Sequence, residues 1–81
     1  MGKHSHRFVD EYDGFVGMGF SREVDEKTLV FYLQKFSDDE LMSLMASRMS
    51  QQDMEDLFDL VNRLMKTYLS DKEYHRHFLK E

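Results

Sequence analysis

The chain contains no cysteine and no proline, and none of its four glycines lies beyond Gly19. Without cysteine, disulfide staples, thiolate metal sites and thiol nucleophiles are excluded. Everything after Gly19 lacks both strong helix breakers. Leu, Met, Glu, Lys, Asp and Ser dominate there, and most of these accept a helix well. No apolar run approaches 18 residues and no secretory apolar core is present, so neither membrane spanning nor export is expected, and the cytoplasm is the expected location. Positive charge is the minority: 11 Lys and Arg stand against 16 Asp and Glu, for a net charge of −5. Phosphate backbones and anionic lipid repel such a chain, which disfavours nucleic acid and membrane as partners.

What the sequence does have is helical punctuation. In 81 residues there is room for one small domain, which at this size buries only about 60–65% of its unfolded surface. Three serines each precede an acidic residue by three positions: Ser37 with Glu40, Ser50 with Asp53, Ser70 with Glu73. This is the capping-box pattern. The serine oxygen accepts from the third helical N–H, and the carboxylate returns to the serine N–H at the positive end of the helix dipole. The spacing predicts helices over 22–36, 38–49, 51–69 and 71–79, unless Ser50 is only a kink in one longer helix. "RFVDEYD" is compatible with a short fifth helix capped by Ser5. The expected fold is therefore all-α: a small compact bundle of four main helices with short joints, in a single domain. Residues 1–20 form a flexible or loosely packed lead-in and 21–81 the helical core. "TLVFYL" (28–33) has strand-like composition, but its charged flanks favour a helix buried all round.

The helix over 51–69 carries the strongest periodicity. Met54, Leu57, Phe58, Val61, Leu64, Met65 and Tyr68 recur at spacings of 3 and 4, and Leu60 and Leu69 widen the stripe to about half the circumference. One neighbour cannot cover such a stripe, which suits either a central helix or an interface between molecules. The helix before it carries Met42, Met45 and Met49 on one face, a pattern that reads first as core and second as an adaptable protein-binding surface. The expected core is Phe8, Phe15, Phe20, Val24, Leu29, Val30, Leu33, Phe36, Leu41, Leu44, Met45, Leu57, Phe58, Val61, Leu64, Met65, Tyr68 and Phe78.

The segment Met18-Gly19-Phe20-Ser21-Arg22-Glu23, with Thr28-Leu29 beyond it, resembles the binding loop and second-helix start of the ubiquitin-associated domain family. That resemblance implies a three-helix fold and binding of ubiquitin or a peptide through Met18-Gly19-Phe20. The chain departs from the family where Asp25, Glu26, Asp39 and Glu40 replace apolar residues, and at Gly14 and Gly17. A helix-turn-helix is also suggested by "LMASRMSQQDMEDLFDLV". Its second helix, however, would bring Asp53, Glu55, Asp56 and Asp59 towards phosphates.

Four histidines are the remaining chemical candidates. His75 and His77 are two apart and diverge on a helix; Asp71 with His75 and Glu73 with His77 share a face and make ordinary ion pairs. Loss of Met1 would leave Gly-Lys-His, whose amine, amides and His4 imidazole form a square-planar copper or nickel chelate; His4 and His6 are thus the weak metal candidates. No calcium loop, phosphate loop or catalytic grouping is visible. Neither enzymatic activity nor a cofactor is expected. By elimination, the chain acts by binding a protein, either another protein or a second copy of itself. Met42, Met45, Met49, Met54, Leu60 and Leu69 are the contact candidates. The alternatives are the ubiquitin-associated reading and a histidine-based metal module.

Overall fold

A computed structural model describes residues 6–81, and among them every regular element is helical. α1 spans Arg7–Glu11, α2 Arg22–Phe36, α3 Asp39–Arg48, α4 Gln51–Tyr68 and α5 Asp71–Glu73, the last running into a π-helical turn over Tyr74–Phe78. The fold is all-α. "TLVFYL" lies inside α2, as its charged flanks predict. Contacts cluster into two units, up to Arg48 and from Met49 onward.

In the first unit, α1 packs on α2 through aromatic rings. Phe8 stacks on Tyr12 at 5.1 Å, and Tyr12 meets Phe31 edge-on at 6.0 Å. No side chain of α1 caps its own start. Instead Gln34 of α2 reaches across, its Oε1 accepting from the Val9 N–H at 3.0 Å, and so satisfies one of the orphan amides of the first turn. Ser5, the cap expected from sequence, lies outside the described residues. α2 begins at Ser21, whose hydroxyl accepts from the Val24 N–H at 3.2 Å.

Ser37 corrects the sequence reading. It ends α2 rather than opening α3, its N–H bonding to the Leu33 carbonyl. The Asp38 carbonyl accepts the first bond of the next helix, from Met42 N–H at 2.7 Å, so α3 starts one residue later. The Ser37 hydroxyl is otherwise engaged, 3.0 Å from His6 Nε2.

The glycine-rich connection between α1 and α2 is held to α2 by hydrogen bonds. The Thr28 hydroxyl accepts from the Gly17 N–H at 3.0 Å and donates to the Gly17 carbonyl at 3.1 Å. The Gly19 N–H donates to Asp25 Oδ1 at 2.9 Å. Gly19 has φ +87°, a conformation that suits glycine. Gly17 is closed in by rings: a Cβ there would lie 2.8 Å from Phe20, which packs edge-on against Phe15 at 4.8 Å.

Burial overturns much of the expected core. Among the described residues the buried side chains are Val9, 5% exposed, and Thr28, 2% exposed, neither of them in the expected set. Phe15, Phe20, Leu29, Val30, Leu33, Leu41, Leu44, Phe58, Val61, Leu64, Tyr68 and Phe78 are exposed instead. α2 is not buried all round. It turns Thr28, with Val24, Phe31 and Gln34 half-buried beside it, towards α1 and the loop, and leaves Leu29, Val30, Tyr32 and Leu33 to solvent. The physical reason is that α1 and the glycine loop offer α2 backbone amides that need partners, and a hydroxyl and a carboxamide answer that need where a leucine cannot.

In the second unit, Ser50 is extended (φ −66°, ψ 159°), so α4 is a separate helix and not the continuation of a longer one. Its hydroxyl accepts from the Asp53 N–H at 3.0 Å, while the reciprocal carboxylate bond, which the short Asp53 is poorly built to make, is not formed. At Ser70 the box is complete: Glu73 N–H donates to Ser70 Oγ at 3.2 Å, and Ser70 N–H donates to Glu73 Oε1 at 2.8 Å. The backbone N–H of Ser70, first, and its hydroxyl together hold the Glu73 carboxyl below its usual range. The C-terminal turn then widens, with Leu79 N–H bonding Tyr74 O at 3.1 Å and Tyr74 stacked on Phe78 at 5.3 Å.

Candidate interaction surface

α4 is the most amphipathic of the described helices, and within the second unit its apolar face is open. At 100° per residue, Leu64, Tyr68, Leu57, Val61, Met54, Met65, Phe58 and Leu69 occupy one arc of about 140°. Phe58 is 69% exposed and Tyr68 76%, and Val61, Leu64 and Met54 also count as exposed. Leu57, Met65 and Leu69 are half-buried. No helix of the second unit packs along this face. A shallow recess of about 470 Å³ lies beside Met54 and Phe58, rimmed by Gln51, Glu55 and Asp59. Leu60 is exposed and stands apart from the arc, between Asp53 and Thr67 on the wheel.

Charge runs along α4 in two halves. Asp53, Glu55, Asp56 and Asp59 occupy its first half, and Arg63 and Lys66 its second. This order complements the macrodipole. Gln51 and Gln52 donate to Glu55 Oε2 and Asp56 Oδ1 at 2.9 and 2.8 Å, one turn on. Two side-chain pairs thus form on the first turns of the polar face.

The contact candidates read from sequence fall in both units. Met42 and Met45 are on α3, half-buried; Met49 precedes α4, also half-buried; Met54 and Leu60 are exposed on α4, and Leu69 ends it. Of these, Met54 and Leu69 share the open arc. Phe58, Val61, Leu64 and Tyr68 complete it, residues that the sequence assigned to the core. The signal for them was already present in the width of the stripe, which exceeds what a chain of this size can cover.

The first unit carries a second, smaller feature. Gly17, Met18, Thr28, Leu29 and Tyr32 line a recess of about 210 Å³. Met18, Leu29 and Tyr32 are all exposed around it. The hydrogen bonds to Thr28 and Asp25 fix the loop that presents Met18 and Phe20.

The described histidines each have local surroundings of their own. His4 lies outside the described residues. His6, in the first unit, is bonded to Ser37. In the second unit His75 does not pair with Asp71: its Nδ1 lies 2.8 Å from Glu81 Oε1. The cause is the widened turn, after which Lys80 adopts φ +62° and Glu81 N–H returns to the His75 carbonyl at 3.0 Å. Among the described residues no three His, Asp or Glu side chains are placed to hold a metal ion. Likewise no helix among them is long and apolar enough to cross a membrane. No protein family, curated protein or solved structure matches the chain.

Proposed function

We propose that this is a non-enzymatic protein of the cytoplasm that acts by binding protein through the apolar face of α4. The observation that supports it most strongly is the exposure of Phe58, Val61, Leu64 and Tyr68 on one continuous face. Contiguous apolar surface of this kind is costly in water, and it marks interaction sites when polar residues rim it. Here Gln51, Glu55 and Asp59 supply that rim. On this reading the compact bundle that the sequence calls for is completed by what binds α4.

A second reading rests on the recess beside Met18. Met18 and Phe20 flank Gly19 on a loop pinned to α2, which suits capture of a short apolar peptide or ubiquitin through Met18-Gly19-Phe20. The two readings separate in one binding experiment against the proteins of the native cell. Val61→Asp should abolish retention of a partner and Met18→Ser should leave it intact if α4 is the surface. The opposite pattern moves the function to the Gly17–Phe20 loop. Retention unchanged by either substitution overturns both.

A further inference from the structure

We infer that the occupant of the α4 face is a second copy of α4, laid antiparallel, with Val61 of the two copies together at the two-fold axis. This inference rests on the reading of α4 as an interaction surface, and it names the partner.

Three observations carry it. The first is the symmetry of the apolar pattern. Met54, Leu57 and Phe58 precede Val61 by 7, 4 and 3 positions, and Leu64, Met65 and Tyr68 follow it by 3, 4 and 7. Reversing the helix about Val61 superposes the stripe on itself. An isologous antiparallel pair therefore overlaps the whole stripe only when the two midpoints meet; a shift of one turn leaves apolar ends uncovered. In the centred register Met54 stands across from Tyr68 of the second copy, and Phe58 beside its Met65.

The second is complementarity of relief. The most exposed side chain of the stripe, Tyr68, lies opposite a much less exposed one, Met54 at 36%, and the exposed Phe58 meets the half-buried Met65 of the second copy. The recess beside Met54 and Phe58 lies on the flank where the second copy's Met65 and Leu69 arrive. A thioether against an aromatic ring is a favourable contact, and this register makes it twice over, Met54 with Tyr68 and Met65 with Phe58.

The third is charge, which sets the direction. The first half of α4 is acidic and the second half basic. A parallel pair would set acid beside acid and align the two macrodipoles unfavourably. An antiparallel pair opposes the dipoles and sets the acidic half of one copy alongside the basic half of the other; Asp56, Asp59, Arg63 and Lys66 lie on the outer faces, so this acts over distance and not through contacts. The area suffices as well. Covering the exposed part of this stripe on both copies removes on the order of 1,000 Å² from water, the lower bound of a specific interface.

Because the chain has no cysteine, introduced thiols are unambiguous probes. The experiment takes the full chain, follows its mass by sedimentation as concentration rises, and cross-links single-cysteine variants with a short bis-maleimide. The mass should double from 9.8 kDa, and Val61→Asp should remain monomeric with unchanged helical circular dichroism. Val61→Cys alone should give covalent dimers, and so should a mixture of Met54→Cys with Tyr68→Cys. Met54→Cys alone should not, since its two copies would stand about 21 Å apart along the antiparallel pair. Efficient cross-linking of Met54→Cys alone means a parallel pair and overturns the inference. A monomer at every concentration also overturns it, and dye binding then separates the two levels. If the monomer binds an apolar dye and Val61→Asp abolishes that binding, the surface stands and takes a different protein. If it binds none, the surface reading falls too.

Discussion

The Thr28 hydroxyl is joined to Gly17 twice, accepting from its N–H at 3.0 Å and donating to its carbonyl at 3.1 Å. One buried side chain thereby replaces the pair of bonds that a strand partner would have made. It converts a glycine-rich stretch into a fixed loop on α2.

Thr28→Val keeps the shape and removes both bonds, leaving a backbone donor and acceptor unpaired beside a buried methyl. The expected loss is about 1–3 kcal/mol of stability, measured by urea denaturation. Thr28→Ser, which keeps the hydroxyl, should lose less. Equal stability of Thr28→Val and the native chain would mean that the loop is not held by this contact.

The capping box at Ser70 makes the start of α5 sensitive to pH. Glu73 accepts from the Ser70 N–H, and its carboxyl is held below the usual glutamate value of 4.5. A depressed folded pKa means that the stabilisation is fully present above 4.5 and fades as the pH falls from there through the lowered folded value. Helical circular dichroism of the native chain should therefore decline over that acid range more than that of Glu73→Gln. Parallel acid profiles for the two would contradict a charged box.

Lys80 holds φ +62° where a glycine would be at ease. Lys80→Gly should stabilise the C-terminal turn by roughly 1 kcal/mol, seen as slower amide exchange at Leu79 and Glu81. Faster exchange would show that the turn depends on the lysine side chain.

Phe58 was expected in the core, where truncation to alanine costs about 3–5 kcal/mol. Its exposure revises that expectation. In dilute solution Phe58→Ala should cost less than about 1 kcal/mol of folding stability, yet weaken association through α4 at least tenfold. Thermal denaturation at low and high protein concentration reads both. A large loss at the lowest concentration would return Phe58 to a core within one chain.

Helix starts were legible in the sequence because a serine cap is a local device. Ser50 and Ser70 lie where the pattern put them. The start of α2 at Arg22 also lies where the sequence put it, although its cap Ser21 has no carboxylate at the third position; Val24 stands there. Ser37 slipped by one residue: it closes α2 through its N–H, and its hydroxyl lies 3.0 Å from His6, thirty-one positions away, a partner no local pattern reveals. Burial was much less legible. Thr28 and Gln34 turn inward to serve amides of Gly17 and Val9, partners that no helical period reveals. The stripe on α4 was read correctly as a stripe, but periodicity states only that a face is apolar and not whether the same chain covers it. The π-helical turn after Glu73 has no periodic signature at all, and with it went the expected pairing of Asp71 with His75.

The most direct measurement is the reaction rate of a maleimide with Phe58→Cys, followed from nanomolar to high micromolar protein. At the lowest concentration the thiol should react within a few-fold of its rate in denaturant, because the α4 face is open in the single chain, and the rate should fall as concentration rises and the face is covered. Strong protection that is already complete at the lowest concentration would show that the chain buries this face itself, and that α4 is core rather than surface.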